Sequence, residues 1–215
     1  MKRRHSAVAP GFSQVELLVT VIIVLVIASL AFPVFSRMKA GSQSVACIGK
    51  LKFLWQCWDV YRKETRQRLY TGANSWMYDM VDARAITSGE TTVCPATSAN
   101  SKDVYFYPVP YSSRIGRITY WSGPPPRPIG YSVNNWVFYA SGGITSSRQF
   151  SKHTSTPLFM DGTVYGLAAG AWNDPDLRVK RIAFRHLGSA NFIFLDGHAE
   201  SLTPAQVKLL DPKPL

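Results

Sequence analysis

Cysteine is scarce in this chain. Three occur among 215 residues, Cys47, Cys57 and Cys94, an odd number with no C-x-x-C pair and no companion histidine at zinc-type spacing, which speaks against a metal framework. Also absent are G-x-S-x-G, a Walker loop, H-E-x-x-H and paired catalytic carboxylates. Nothing recommends an enzyme. Acidic residues are few, 13 against 24 Lys and Arg, for a formal charge of +11. The excess sits beside a stretch that lacks charge altogether, Leu17 to Phe35, with Lys2, Arg3 and Arg4 before it and Arg37, Lys39, Lys50 and Lys52 after it. Such a stripe suits anionic lipid or nucleic acid, but a solvated basic helix face is the simpler reading.

The uncharged stretch contains only Thr20 and Ser29 as polar residues. As a helix it spans roughly 28 Å, close to a bilayer hydrocarbon thickness of about 30 Å. A secretory signal would be followed by a small-residue cleavage site, and no clear A-x-A follows Phe35, so the run is expected to be retained. A buried soluble helix would show a polar face, and this Val/Ile/Leu run has none. Basic residues on both sides leave the orientation undecided. If the bulk of the chain lies outside the cytoplasm, one disulfide is open to it. Cys47 with Cys57 is a poor pair, since ten residues of helix separate them by about 15 Å, and this favours Cys94 as the partner of Cys47.

Gly11, then Phe12, then Glu16, followed by Leu17-Leu18 and a long aliphatic run with Pro33, resembles the processing signal of type IV pilins and type II secretion pseudopilins. The resemblance implies that a prepilin peptidase cuts between Gly11 and Phe12 and methylates the new amino group of Phe12. It implies a single-pass inner-membrane anchor with the remainder in the periplasm or at the cell surface. The implied partners are other pilin-like subunits, an inner-membrane assembly platform and a cytoplasmic motor ATPase. Glu16 then has a physical reading. A carboxylate near the bilayer core costs about 2.5–3.5 kcal/mol on insertion scales, so it wants a cation. The ammonium of a neighbouring subunit's Phe12 supplies one where the low dielectric strengthens the attraction. Snorkelling of Glu16 to the headgroups is the plainer alternative.

Beyond Phe35, Pro33 and Gly41 are candidate bends, and Val45, Ile48, Leu51, Trp55, Trp58 and Tyr61/Arg62 recur at helical spacing, predicting an amphipathic stem with one apolar stripe. Aromatics at this spacing are more often core than a nucleic-acid platform. From about residue 70 short aromatic and β-branched runs alternate with Gly, Pro, Ser and Asn, which is strand and turn composition. Two segments match each other, "PLFMDGTVYGL" at 157–167 and "FIFLDGHAESL" at 192–202. Each reads as a hairpin with a two-residue Asp-Gly turn of type I′. The expected fold is α+β: leader 1–11, transmembrane and assembly helix 12–36, amphipathic stem 37–69, and a β-rich head over 70–215.

His186, nine residues, then Asp196-Gly197 looks like the H-X9-DG signature of a family of pilin-like proteins, the domain formerly of unknown function numbered 1559. The fragments "ACIGKLKFLWQCWDVY", "VCPAT", "YSVNNWVF" and "TPLFMDG" agree with that family in order, so the resemblance covers almost the whole chain. Ile48-Gly49-Lys50 departs from it, where the family commonly has an Asn-rich step.

His186, Asp196, His198 and Glu200 invite a metal or catalytic reading, and alternation puts Asp196, His198 and Glu200 on one face if a strand runs through them. A tight turn already accounts for Asp196, and a hydrogen bond from His186 across the hairpin would fix its register. A structural role is therefore preferred, and no cofactor is expected. Calcium is the ion to test first, because carboxylates and turn carbonyls suit a hard cation and some pseudopilins use one. The rival functions are a non-polymerising surface-binding protein using Trp121, Trp136 or Trp172, a metal-dependent hydrolase built on His186, Asp196 and His198, and DNA capture by the basic stem.

Overall fold

The structure, a computed structural model, describes residues 13–64, 93–97, 105–107, 127–138, 150, 152–164, 166–167 and 169–210. The chain divides into two compact units, Met1–Lys39 and Ala40–Leu215. One helix, α1 (Gln14–Glu64), supplies residues to both.

In the first unit the helix is apolar on every side from Leu17 to Phe35, and Leu18, Ile22, Leu25, Leu30 and Phe35 are all exposed. The two hydroxyls between Leu17 and Phe35 are turned onto the backbone: Thr20 donates to the Leu17 carbonyl and Ser29 to the Val26 carbonyl, each at 2.8 Å. The run therefore presents almost no unsatisfied polar group, which is what a hydrocarbon environment demands. By length and composition this helix is long and apolar enough to cross a membrane.

In the second unit the same helix becomes one-sided. Cys47, Leu51, Leu54, Cys57 and Trp58 are buried, with Trp55 and Tyr61 half-buried beside them. The stripe predicted from spacing is thus real but rotated. Val45 is 71% exposed, and its place is taken by Cys47, because a thiol behaves as a small buried hydrophobe that a count of Val, Ile and aromatics overlooks.

That stripe packs on a five-stranded sheet built from β3 (Tyr131–Asn134), β4 (Pro157–Asp161), β5 (Gly166–Leu167), β6 (Ala190–Phe194) and β7 (Ala199–Leu202), in the order β5-β3-β4-β6-β7. Among the described strands of this sheet only the β3–β5 pairing is parallel. A separate antiparallel ribbon joins β1 (Tyr105–Tyr107) to β2 (Arg127–Ile129). The central strands β4 and β6 are buried along their whole length. In β6, Ile193 and the following Leu195 face the α1 side, whereas Ala190, Phe192 and Phe194 face the other. That second face is covered by α3 (Ala169–Asn173), α4 (Pro175–Arg181) and α5 (Pro204–Leu209), while α2 (Asn135–Phe138) follows β3 directly. Arg178 ties the three covering helices together. Its guanidinium donates to the carbonyls of Val207 (2.9 Å), Leu210 (2.6 Å) and Trp172. A long N-terminal helix with a C-terminal mixed sheet of five strands makes the chain α+β.

The two matching Asp-Gly segments part company. Asp196-Gly197 lies in a true hairpin between β6 and β7, closed by Phe194 N–H to His198 O and Gly197 N–H to Phe194 O, both 3.0 Å. Its loop has three residues, with Gly197 alone at positive φ (91°). This is the bulged form rather than type I′, which needs two successive residues at positive φ. Residues 157–167 are not a hairpin. After Asp161 the chain leaves β4 to place β5 beside β3, because Gly162 pairs with Ile182 and Thr163 N–H reaches the Arg181 carbonyl at 3.0 Å instead of folding back.

Candidate functional site

Four segments converge under the stem. Cys47 comes from α1, one turn before Leu51. Cys94 comes from the short segment 93–97, which α1 holds through Lys50 Nζ to Val93 O (3.0 Å) and Gln43 Nε2 to Pro95 O (3.4 Å). Gly130 lets that segment approach, for a Cβ there would stand 2.7 Å from the Cys94 nitrogen. Asp161 ends β4. His186 opens a two-residue turn whose N–H and C=O pair with those of Ser189 at 3.1 and 3.0 Å, with Leu187 at φ 53° and Gly188 at φ 83°. The type I′ signature expected at Asp-Gly is here, at "HLGS".

The side chains meet at one point. Cys47 Sγ lies 2.9 Å from Cys94 Sγ, 3.0 Å from Asp161 Oδ1 and 3.2 Å from the Tyr131 hydroxyl. His186 Nε2 lies 3.4 Å from Cys94 Sγ and 3.3 Å from Asp161 Oδ2. The Asn191 N–H donates to Asp161 Oδ2 at 2.8 Å. Arg185, 3.8 Å from Asp161 Oδ1, donates to the carbonyls of Gly130 (2.8 Å) and Gly162 (2.7 Å). All four donor atoms lie within 4.8 Å of one another and all four residues are buried.

Electrostatics here are strongly perturbed. A hydrogen bond from Cys47, helped by one from His186 and opposed by burial, pulls the Cys94 thiol down to about 5. Burial pushes the Cys47 thiol well up, as it does the Tyr131 hydroxyl. Burial works to lower His186, but its hydrogen bonds to Asp161 and Cys94 win and raise it to about 9. The cluster therefore favours an anion at Cys94 and a cation beside it.

This is not a nucleophile–base–orienter triad. A triad needs the cysteine on one imidazole nitrogen and the carboxylate on the other. Here both face Nε2, while Nδ1 is buried with no hydrogen-bond partner among the described residues. The sulfurs are also closed to solvent. All three cysteines are thiols in this structure. Cys47 and Cys94, expected as disulfide partners, lie with their sulfurs 2.9 Å apart and unbridged.

Asp196, His198 and Glu200 behave differently. Asp196 Oδ1 accepts from the His198 N–H at 3.1 Å and lies 2.6 Å from His198 Nδ1, and the imidazole stacks on Phe194 at 4.3 Å. The strand begins only at Ala199, so alternation does not carry through the turn. Among the described residues Glu200 forms no group of three with Asp196 and His198, the cluster around Cys47 being the one such group. His186 bonds not across the β6–β7 hairpin but into that cluster. Gly197 has its own reason: a Cβ there would come within 2.8 Å of the Trp55 ring, whose Nε1 donates to Leu195 O at 3.2 Å. The H-X9-DG spacing thus joins two places, a buried histidine before β6 and a turn pressed on α1 after it.

Glu16 is placed by its own backbone. Its carboxylate accepts the Ser13 N–H at 2.9 Å while Ser13 Oγ accepts the Val15 N–H at 3.3 Å, a reciprocal cap that "SQVE" announces. Trp172 is 1% exposed and lies under Arg178, 5.3 Å from ring centroid to guanidinium. Trp136 is half-buried against both halves of the core. Neither is an open platform for a surface polymer. Gly11, Phe12 and Trp121 lie outside the described residues. Asp161, Tyr131 and Arg185 escaped the sequence reading. Asp161 was visible only as half of an Asp-Gly pair, and its burial depends on strands far apart in the chain. No protein-family model, curated protein or solved structure matches this chain.

Proposed function

We propose that the chain is a pilin-like (pseudopilin) subunit, cut between Gly11 and Phe12 and N-methylated on Phe12 by a prepilin peptidase, that assembles into a type IV pilus or a type II secretion-like filament. One observation carries the reading. A single helix has an outer half that buries a stripe in its own sheet and an inner half that exposes large aliphatics on every side. An apolar surface of that kind is stable only in lipid or against copies of itself. Its partners are the peptidase, other pilin-like subunits, the assembly platform and a cytoplasmic motor ATPase, and the head lies outside the cytoplasm. A tethered binding protein that never polymerises is the alternative, and the burial of Trp172 counts against its aromatic version.

Two readouts from membranes of the native host test this. Intact mass should show a chain beginning at singly methylated Phe12. Cysteines placed at exposed Val21 and Leu25 should cross-link into a ladder. A chain retaining its leader, or a monomer only, overturns the proposal.

A further inference from the structure

We propose that Cys47, Cys94, Asp161 and His186 form a four-coordinate site for a divalent transition-metal ion, zinc in the first instance. Convergence on a point separates this arrangement from an ordinary buried hydrogen-bond network. His186 offers one nitrogen, Nε2, to both a sulfur at 3.4 Å and a carboxylate oxygen at 3.3 Å. Cys47 stands within 3.0 Å of both a sulfur and an oxygen. Two thiol protons and one imidazole N–H cannot serve all four contacts, whereas one cation at the centre serves every ligand.

The donor set matches the ion. Two thiolates, an imidazole and a carboxylate are borderline-soft, tetrahedral-zinc ligands, and they do not suit calcium, which takes six to eight oxygens. Zinc–ligand bonds of about 2.0–2.3 Å place tetrahedral ligands roughly 3.3–3.8 Å apart. Four close contacts run from 2.9 to 3.4 Å, Asp161 meeting Cys47 through Oδ1 and His186 through Oδ2, and the whole donor set lies within 4.8 Å, so closing on one ion takes side-chain shifts of both signs. Charge also closes: two thiolates and Asp161 carry three negative charges, which the dication and the neighbouring Arg185 guanidinium offset. Around the ligands stand the groups that orient them, with the Tyr131 hydroxyl on Cys47 and the Asn191 N–H on Asp161. The site has no open position and no exposed ligand, which makes it structural rather than catalytic. The ion would enter during folding and fasten α1, the 93–97 segment and the sheet into one unit. Zinc-type sequence spacing is absent because the four ligands come from four separate segments.

The site competes with a Cys47–Cys94 disulfide, which would consume both thiolates, and the experiment separates the two. The full-length chain is purified from membranes in detergent without reductant or chelator, then analysed for metals and alkylated before and after unfolding with chelator. The expected result is about one zinc per chain, with Cys47 and Cys94 alkylated only after unfolding. A zinc-free chain overturns the proposal, whether the two sulfurs are bridged or free. Cobalt(II) exchanged into the site should give the visible absorption of a tetrahedral thiolate centre, lost in Cys94→Ser and kept in Cys57→Ser. His186→Cys, which replaces one zinc ligand with another, should retain the metal where His186→Ala loses it. Full zinc occupancy in Cys94→Ser contradicts the site.

Discussion

Leu187 carries a strained backbone so that His186 can point inward. A leucine at φ 53° pays for a left-handed conformation that glycine, asparagine or aspartate adopts more readily. Its side chain is 70% exposed. Leu187→Asn, giving the favoured Asn-Gly turn, should raise stability by about 1 kcal/mol, read as a higher denaturant midpoint with unchanged slope. Gly197→Ala should do the opposite. A methyl there meets both the positive φ and the Trp55 ring, for a loss of about 1–3 kcal/mol by the same measurement. Among single residues, the Asp196-Gly197 turn was legible because tight turns announce themselves in two letters. Asp161 was not, since the same two letters at 161–162 serve a strand end whose fate is decided by Ile182 and Arg181.

At the scale of elements, α1 is one helix doing two jobs. Its first half was legible from composition alone, because a run of aliphatics without charge has few other solutions. Its second half was legible in period and not in phase. The missing information was that Cys47 and Leu54 face the sheet while Val45 faces away. The consequence is measurable. Leu54→Ala, emptying a fully buried site, should cost about 2–5 kcal/mol, whereas Val45→Ala should stay within about 0.5 kcal/mol. The reverse order, with Val45→Ala the costlier, would mean that the helix docks in the phase read from spacing. The sheet order escaped the sequence entirely. The parallel pairing of β3 with β5 is made by two residues, Val133 and Asn134, opposite Gly166 and Leu167, too short a run for any period to show.

For the whole molecule, two requirements meet at the start of α1. The helix needs a cap, and Ser13 with Glu16 provides it. In the filament proposed above, a subunit held by apolar contacts alone needs something to set its register, and the proposed device is the Glu16 carboxylate paired with a neighbour's Phe12 ammonium. The sequence suggested the second role and overlooked the first, although Ser-x-x-Glu ahead of an apolar run is a capping signal. Substituting alanine removes both at once. Glutamine keeps the hydrogen bond to the Ser13 N–H and discards only the charge. The most direct measurement is therefore the amount of Glu16→Gln protein recovered in cross-linked or sheared filaments, beside wild type and Glu16→Ala, at equal membrane levels. Loss of incorporation in Glu16→Gln as complete as in Glu16→Ala is the predicted result. Wild-type incorporation of Glu16→Gln would contradict the account, leaving Glu16 a helix cap and nothing more.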